Sequence, residues 1–376
     1  MSIYLDEAST TKPLSSVVEA IKPYLETYWH NPSSIYSAGS EVKYRVDNVR
    51  LKVSKLICAD SGEIYFTSGA SESNNWVIRG FDDANYQYDS AIITTPIEHK
   101  SIINAVSNPA LRSSVYFCDV NNDGSIDLES LKNLLDLNHN KKILVSIIMA
   151  NNEIGTVQDI ESISKLVHSY DGILHTDATQ SIKHIPINVQ KMGIDLLSAS
   201  AQKFGGLKGT GFLYKSSNVE LAPLIYGEQE ERLRGGTENV IGIIALGEAI
   251  RKINYDNSFM LTILRDNFIS QLKGIGCKVN GSLTNRLPNN INVTFSKNIN
   301  GENLIYLLDL ADIYISSGSA CNSRSVDISH VLKAIGLSNE EAMRTIRITL
   351  PDDIKGDDID YVVNEIEKAI KLVEIE

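Results

Sequence analysis

Cysteine is scarce in this chain and widely spaced. Four thiols, Cys58, Cys118, Cys277 and Cys321, are scattered over 376 residues. None has the C-x-x-C spacing of a structural zinc site or a redox pair, and isolated reduced thiols suit a cytosolic protein. No apolar run approaches the roughly 20 residues that cross a bilayer. The stretch MSIYLDEASTT has no basic leader followed by an apolar segment. No membrane association is expected, and a cytoplasmic location is the default. Basic residues are outnumbered, with 35 Lys and Arg against 47 Asp and Glu and a formal net charge of −12. That sign opposes direct contact with a phosphate backbone, so nucleic acid is not an expected direct partner. Internal repeats and low-complexity tracts are also missing.

What is present is an ordinary globular composition, 43% hydrophobic, long enough for two domains. Short apolar runs rich in β-branched residues occur at 63–68, 90–95, 142–150, 172–177, 195–201 and 209–215. Helix-length stretches separate most of them, which predicts an α/β fold with a mostly parallel sheet covered by helices on both faces. Past residue 239 the pattern changes. A helical stretch broken near 254–258 is followed by short strand-like and helix-like segments, ending in the amphipathic run DDIDYVVNEIEKAIKLV. We expect a large domain over 16–258 and a smaller α/β domain over 259–376, with residues 1–15 packing near the latter.

Ligands of open parallel sheets bind at the carboxyl ends of the strands, and the residues just past those ends are polar. Gly69-Ala70-Ser71 leads from a strand into a helix, where free backbone N–H groups suit a phosphate; taken alone, it reads better as an ordinary N-cap, with Ser71 or Ser73 capping the helix. Asp177 ends an apolar strand, where an ionised carboxylate needs a partner: it is a cap or the holder of a protonated ring nitrogen. Lys203 follows an apolar strand and precedes two glycines. Most lysines are simply solvated, but a partly desolvated one acts as an amine nucleophile. GGLKGTG lacks the G-x-x-x-x-G-K-[ST] order and leads into a strand, which excludes a nucleotide loop. Together, phosphate cradle, aspartate and lysine are the three parts that pyridoxal 5'-phosphate requires.

Along nearly the whole chain the residues form an ordered pattern: YLDEASTT (4–11), NPSS (31–34), FTSGASESNN (66–75), EHK (98–100), ANNEIG (150–155), HTDATQS (175–181), RGGTENV (234–240), RLPNNIN (286–292), SSGSACNS (316–323), SHVLKAIGL (329–337) and IRITL (346–350). This resembles the cysteine desulfurases, fold-type I pyridoxal-phosphate enzymes of the class V aminotransferase family, in the class with a long, serine-rich cysteine loop. The resemblance implies a homodimer that converts L-cysteine to L-alanine and passes the sulfur, as a persulfide on Cys321, to an acceptor protein. It makes Lys203 the Schiff-base lysine and His99 a ring-stacking proton shuttle. Asp177 would meet the pyridine nitrogen and Gln180 the ring hydroxyl. Ala70, Ser71, Ser200 and Gln202 would hold the phosphate, with Thr237 from a second subunit. Asn152, beside the cofactor, and Arg347 would hold the substrate carboxylate; considered alone, Arg347 reads as a surface ion pair. Gln202 stands where the family usually has histidine, and YGEQEERLRGG at 226–236 departs from a glycine- and arginine-rich family segment. The resemblance also admits selenocysteine cleavage, transamination or a non-catalytic sulfur-carrier scaffold.

Cys321 lies in SSGSACNSRS, in which seven of ten residues are Ser, Gly or Ala. A free cysteine usually packs as a small hydrophobe. A nucleophile that must reach a bound substrate and then carry sulfur away is better served by a segment of small residues. Cys58, Cys118 and Cys277 sit in apolar or strand-like contexts and read as packing.

Overall fold

A computed structural model of the chain describes residues 2–297, 299–317 and 328–373. Seven strands form the main sheet: β1 (Ile64–Thr67), β2 (Ser90–Thr94), β3 (Ser114–Phe117), β4 (Lys142–Ile148), β5 (Ile173–Asp177), β6 (Leu196–Ser200) and β7 (Gly211–Lys215). Their spatial order is β1-β7-β6-β5-β4-β2-β3. β1, β2, β6 and β7 are buried along their whole length. This is why they read as continuous apolar runs rather than as alternating ones. Apolar clusters fill both faces: Val46, Val53 and Leu246 belong to one, Trp76, Phe81 and Ile102 to the other.

The sheet departs from the sequence pattern in two places. β7 runs antiparallel to both of its neighbours, β1 and β6. A parallel return needs a crossover of a dozen or more residues, and residues 201–210 hold only a single turn of 3-10 helix, Ala201–Lys203. The edge strand β3 is half exposed, and the apolar run that marks it, Val115–Cys118, is only four residues long.

A second sheet, ordered β10-β11-β9-β8, comprises β8 (Cys277–Val279), β9 (Asn290–Phe295), β10 (Ser316–Ser317) and β11 (Thr345–Thr349). Its apolar cluster includes Phe268, Ile291, Ile346 and Ile366, and it takes in Leu5 from the start of the chain. Ile3–Tyr4 pairs in parallel with Ile313–Tyr314, and Asp6 bridges to Thr349. The chain then runs from the second sheet to the main one: Thr11 N–H donates to the Gln202 carbonyl at 2.9 Å, and Leu14 N–H to the Gly205 carbonyl at 3.0 Å. The turn at residues 6–11 therefore lies between the two sheets. Among the described residues no helix is long and apolar enough to cross a membrane.

Candidate active site

The carboxyl ends of β1, β2, β4, β5 and β6 bring the polar residues together. Helix α1 (Ala70–Ala84) follows β1 after a two-residue turn, with Gly69 as its N-cap and no side-chain cap. Gly69 has φ 146°, and a Cβ there would lie 3.3 Å from Ser200 Oγ at the end of β6. The first-turn N–H groups thus lie beside the buried Ser200 hydroxyl, with the exposed Ser71 in the same turn. An uncapped helix start with two hydroxyls beside it is a cradle for an anion.

Asp177 is buried, at 4% exposure. Its Oδ2 accepts from Asn74 Nδ2 at 2.7 Å and its Oδ1 from Thr179 N–H at 2.9 Å. A carboxylate has about four acceptor positions, so capacity remains for a ring N–H. Asn74 Nδ2 also donates to Ser101 Oγ at 2.9 Å, and Ser101 Oγ lies 2.8 Å from His99 Nδ1. Ser101 N–H donates to the same nitrogen at 3.1 Å. Nδ1 is therefore an acceptor, and the proton of the neutral ring sits on Nε2. Burial lowers the His99 pKa, Asp177 opposes this, and Lys203 adds to it. His99 is at once the N-cap of helix α2 (Lys100–Val106) and the end of a hydrogen-bonded chain from Asp177. Asn74 Oδ1 is buried without a partner among the described residues.

Lys203 and Arg347 meet the same turn of the N-terminal segment. Lys203 Nζ donates to the carbonyls of Ala8 and Ser9, both at 2.6 Å, and Gln180 Nε2 donates to the Ala8 carbonyl at 2.9 Å. Arg347 on β11 is only 2% exposed. Its Nη2 donates to Asp6 Oδ1 at 2.7 Å and to Ser9 Oγ at 3.0 Å, and its Nη1 to the Asn152 carbonyl at 3.3 Å. The ion pair is thus a buried one with Asp6, not a surface one, and Arg347 Nε has no partner among the described residues. Gln202 is tied through its carbonyl, which takes both the N–H and the hydroxyl of Thr11. Thr237 is exposed. Cys321 lies outside the described residues.

The donors and acceptors fit pyridoxal 5'-phosphate: an uncapped helix start for the phosphate, a buried carboxylate with spare capacity for the ring nitrogen, and a partly buried amine beside Gln180. The residue-by-residue reading missed Asn74, Ser101, Asp6 and the carbonyls of Ala8 and Ser9. Asn74 carried one signal, since it lies one helical turn past Ala70. Two further acids sit behind the site. Burial pushes Glu98 up to about 8 and Glu153 up to about 7.

The family model for aminotransferase class-V matches residues 3–362. The cysteine desulfurase IscS of Dictyoglomus turgidum is 42% identical over 376 residues, which cover 98% of this chain and 94% of that protein. Among solved structures, a NifS-like protein superposes with a TM-score of 0.92 at 32% identity, covering 99% of this chain and 100% of that one. SspA in complex with cysteine superposes with a TM-score of 0.84 at 35% identity, covering 93% and 99%.

Proposed function

The chain belongs to the aminotransferase class-V family and is a cysteine desulfurase, and from that premise we propose which of its residues carry the reaction. The observation that carries the assignment is the convergence of Lys203 and Arg347 on one turn: the amine on the carbonyls of Ala8 and Ser9, the guanidinium on Asp6 and Ser9.

Pyridoxal 5'-phosphate, when bound, supplies an electron sink for negative charge at the substrate α-carbon. Lys203 would hold it through Nζ, and the same Nζ would be the base that takes the substrate α-proton. Asp177 keeps the ring nitrogen protonated, held in place by Asn74 and Thr179. Gln180 donates to the ring hydroxyl. The N–H groups at Ala70 and Ser71, with the hydroxyls of Ser71 and Ser200 and the Gln202 amide, receive the phosphate; an amide donates but carries no charge. Thr237 of a second subunit completes this cradle in a homodimer. Arg347 and Asn152 hold the α-carboxylate of L-cysteine. His99, neutral at pH 7, has its ring proton on Nε2 to give and retrieve. The Cys321 thiolate attacks the substrate sulfur. A sulfur–sulfur bond forms, the carbon–sulfur bond breaks, and its electrons stay with carbon, which takes up protons to become L-alanine. The persulfide sulfur then passes to an acceptor protein, in the cytoplasm.

Incubation with L-cysteine is expected to give alanine, and mass spectrometry of the Cys321 peptide one added sulfur. A Cys321→Ser variant should keep the visible cofactor band and release no sulfide. Full sulfide release from that variant overturns the role of Cys321.

A further inference from the structure

The segment that carries Cys321 leaves the described fold at Ser317 and re-enters it by Ser329. At the outgoing side, β10 pairs with β11 so that Ser316 stands opposite Arg347. Cys321 is four residues beyond Ser317 in the sequence.

The returning side is fastened at two polar points. Ser329 Oγ donates to Glu153 Oε2 at 2.5 Å, and Ser329 also caps helix α3 (His330–Ala334) by accepting from Leu332 N–H. His330 Nε2 meets the Glu98 carbonyl at 2.8 Å, which makes that nitrogen the donor. Both partners are themselves held. Glu98 Oε1 accepts from Thr95 Oγ1 at 2.6 Å and from Ile148 N–H at 3.0 Å. Glu153 N–H donates to Asn151 Oδ1 at 2.8 Å, and its carbonyl accepts from Asn292 Nδ2 at 3.2 Å. Beneath the two bonds, Ile97 and Ile154 pack against Val331, Leu332 and Ile335 in a small buried cluster of their own.

The partners are not arbitrary. Glu98 is the chain neighbour of His99, and Glu153 of Asn152. With Ser316 opposite Arg347, each proposed substrate-facing residue lies one peptide or one strand pairing from a flank of the cysteine segment. Accordingly, we infer that Ser329 and His330 are positioning residues, a return anchor that ties the segment bearing the nucleophile to the walls holding His99 and Asn152. The inference rests on the proposed role of Cys321 and adds residues that act through it. A reaction at one sulfur by another depends steeply on their relative placement. The anchor therefore serves the sulfur-transfer step and not the capture of the amino acid.

Two rates separate these steps: the change in cofactor absorbance on adding L-cysteine, and persulfide formation on the Cys321 peptide, read by quenched mass spectrometry. Ser329→Ala and His330→Ala are each expected to slow persulfide formation at least tenfold while changing the absorbance step less than about twofold. His330→Gln, which presents an amide N–H in place of Nε2, should restore most of the loss. Equal slowing of both rates, or neither, overturns the inference, as does an Ala variant that His330→Gln fails to rescue. Should either Ala variant not fold, His330→Gln against His330→Asn gives the same comparison, because the shorter amide cannot reach the Glu98 carbonyl. The Cys321→Ser control keeps the two claims apart: persulfide chemistry that survives that change defeats the proposed function itself, whatever the anchor variants do.

Discussion

At the scale of single residues, Lys203 and Asp177 were marked by position, the one just past an apolar strand and the other at the end of one, where a charged side chain needs a reason; His99 was marked only by the family resemblance. Their supports were not legible, because they come from distant parts of the chain. Asn74 reaches Asp177 across 103 positions, and Arg347 meets Asp6 across 341. No local pattern encodes such a pairing. Removing a support should be costly. Asn74→Ala takes a donor from a buried carboxylate, which costs about 1–3 kcal/mol. Urea unfolding of the cofactor-free protein should show that loss, and a cofactor titration should show weaker binding. An unchanged unfolding midpoint would set aside the Asn74 bridge.

Among the elements, the approach of β7 to the start of α1 is the tightest feature of the site. A Cβ at Gly211 would lie 2.4 Å from the Ala199 carbonyl oxygen and 2.6 Å from Gly69 Cα. Both are backbone atoms and cannot step aside. Gly211→Ala should push the helix start away from Ser200, lower the melting temperature and abolish tight cofactor capture; equilibrium dialysis against pyridoxal phosphate checks this. The segment at 226–236 shows the reverse case. Glu230, Glu231 and Arg232 take φ of 46°, 56° and 65° in succession, a left-handed path that side chains resist by about 1–2 kcal/mol per residue. What holds it is ionic. Glu230 makes a bidentate pair with Arg50 at 2.8 Å and 2.8 Å, and Arg234 grips Glu72 in the first turn of α1 at 2.7 Å and 3.1 Å. Arg232 itself contributes only an exposed pair with Glu228. Arg232→Gly should therefore raise stability by up to about 1 kcal/mol, seen as a small rise in melting temperature without loss of activity. The sequence marked this stretch as a departure from the family pattern. Its conformation was out of reach there, since nothing local requires three left-handed residues that distant arginines hold in place.

For the molecule as a whole, buried titratable groups set opposing limits on pH. Burial lowers the pKa of His99, and brings His175 to about 4 and His184 to about 3, from 6.5. With folded values below unfolded ones, their contribution is present above about 6.5 and is lost as pH falls through the folded values. Glu98, Glu153 and Glu7 go the other way, raised by burial from 4.5 to about 8, 7 and 7. Their contribution is full below 4.5 and is lost as pH rises through 7 to 8. Between pH 4.5 and 6.5 the two sets offset one another, whereas above 6.5 only the carboxyls change, so melting temperature should fall as pH rises from 6.5 to 8. In Glu98→Gln, whose amide oxygen can still accept from Thr95 and Ile148, the fall between pH 7 and 9 should shrink; an unaltered alkaline slope in a scanning fluorimetry series would contradict it. The main sheet was readable at this scale, because fully buried strands leave continuous apolar runs. The link from second sheet to main sheet through residues 6–11 was not, because its contacts to Lys203 and Gln180 are carbonyls, which every residue has, and its ion pair joins Asp6 to an arginine 341 positions away. That link has a practical side. An affinity handle fused ahead of Ile3 would tug on a peptide a few positions from the oxygens that seat the lysine, whereas one fused past Val373 would hang from a helix packed on the second core. Purification schemes that place the handle in front should yield paler preparations than those that place it behind.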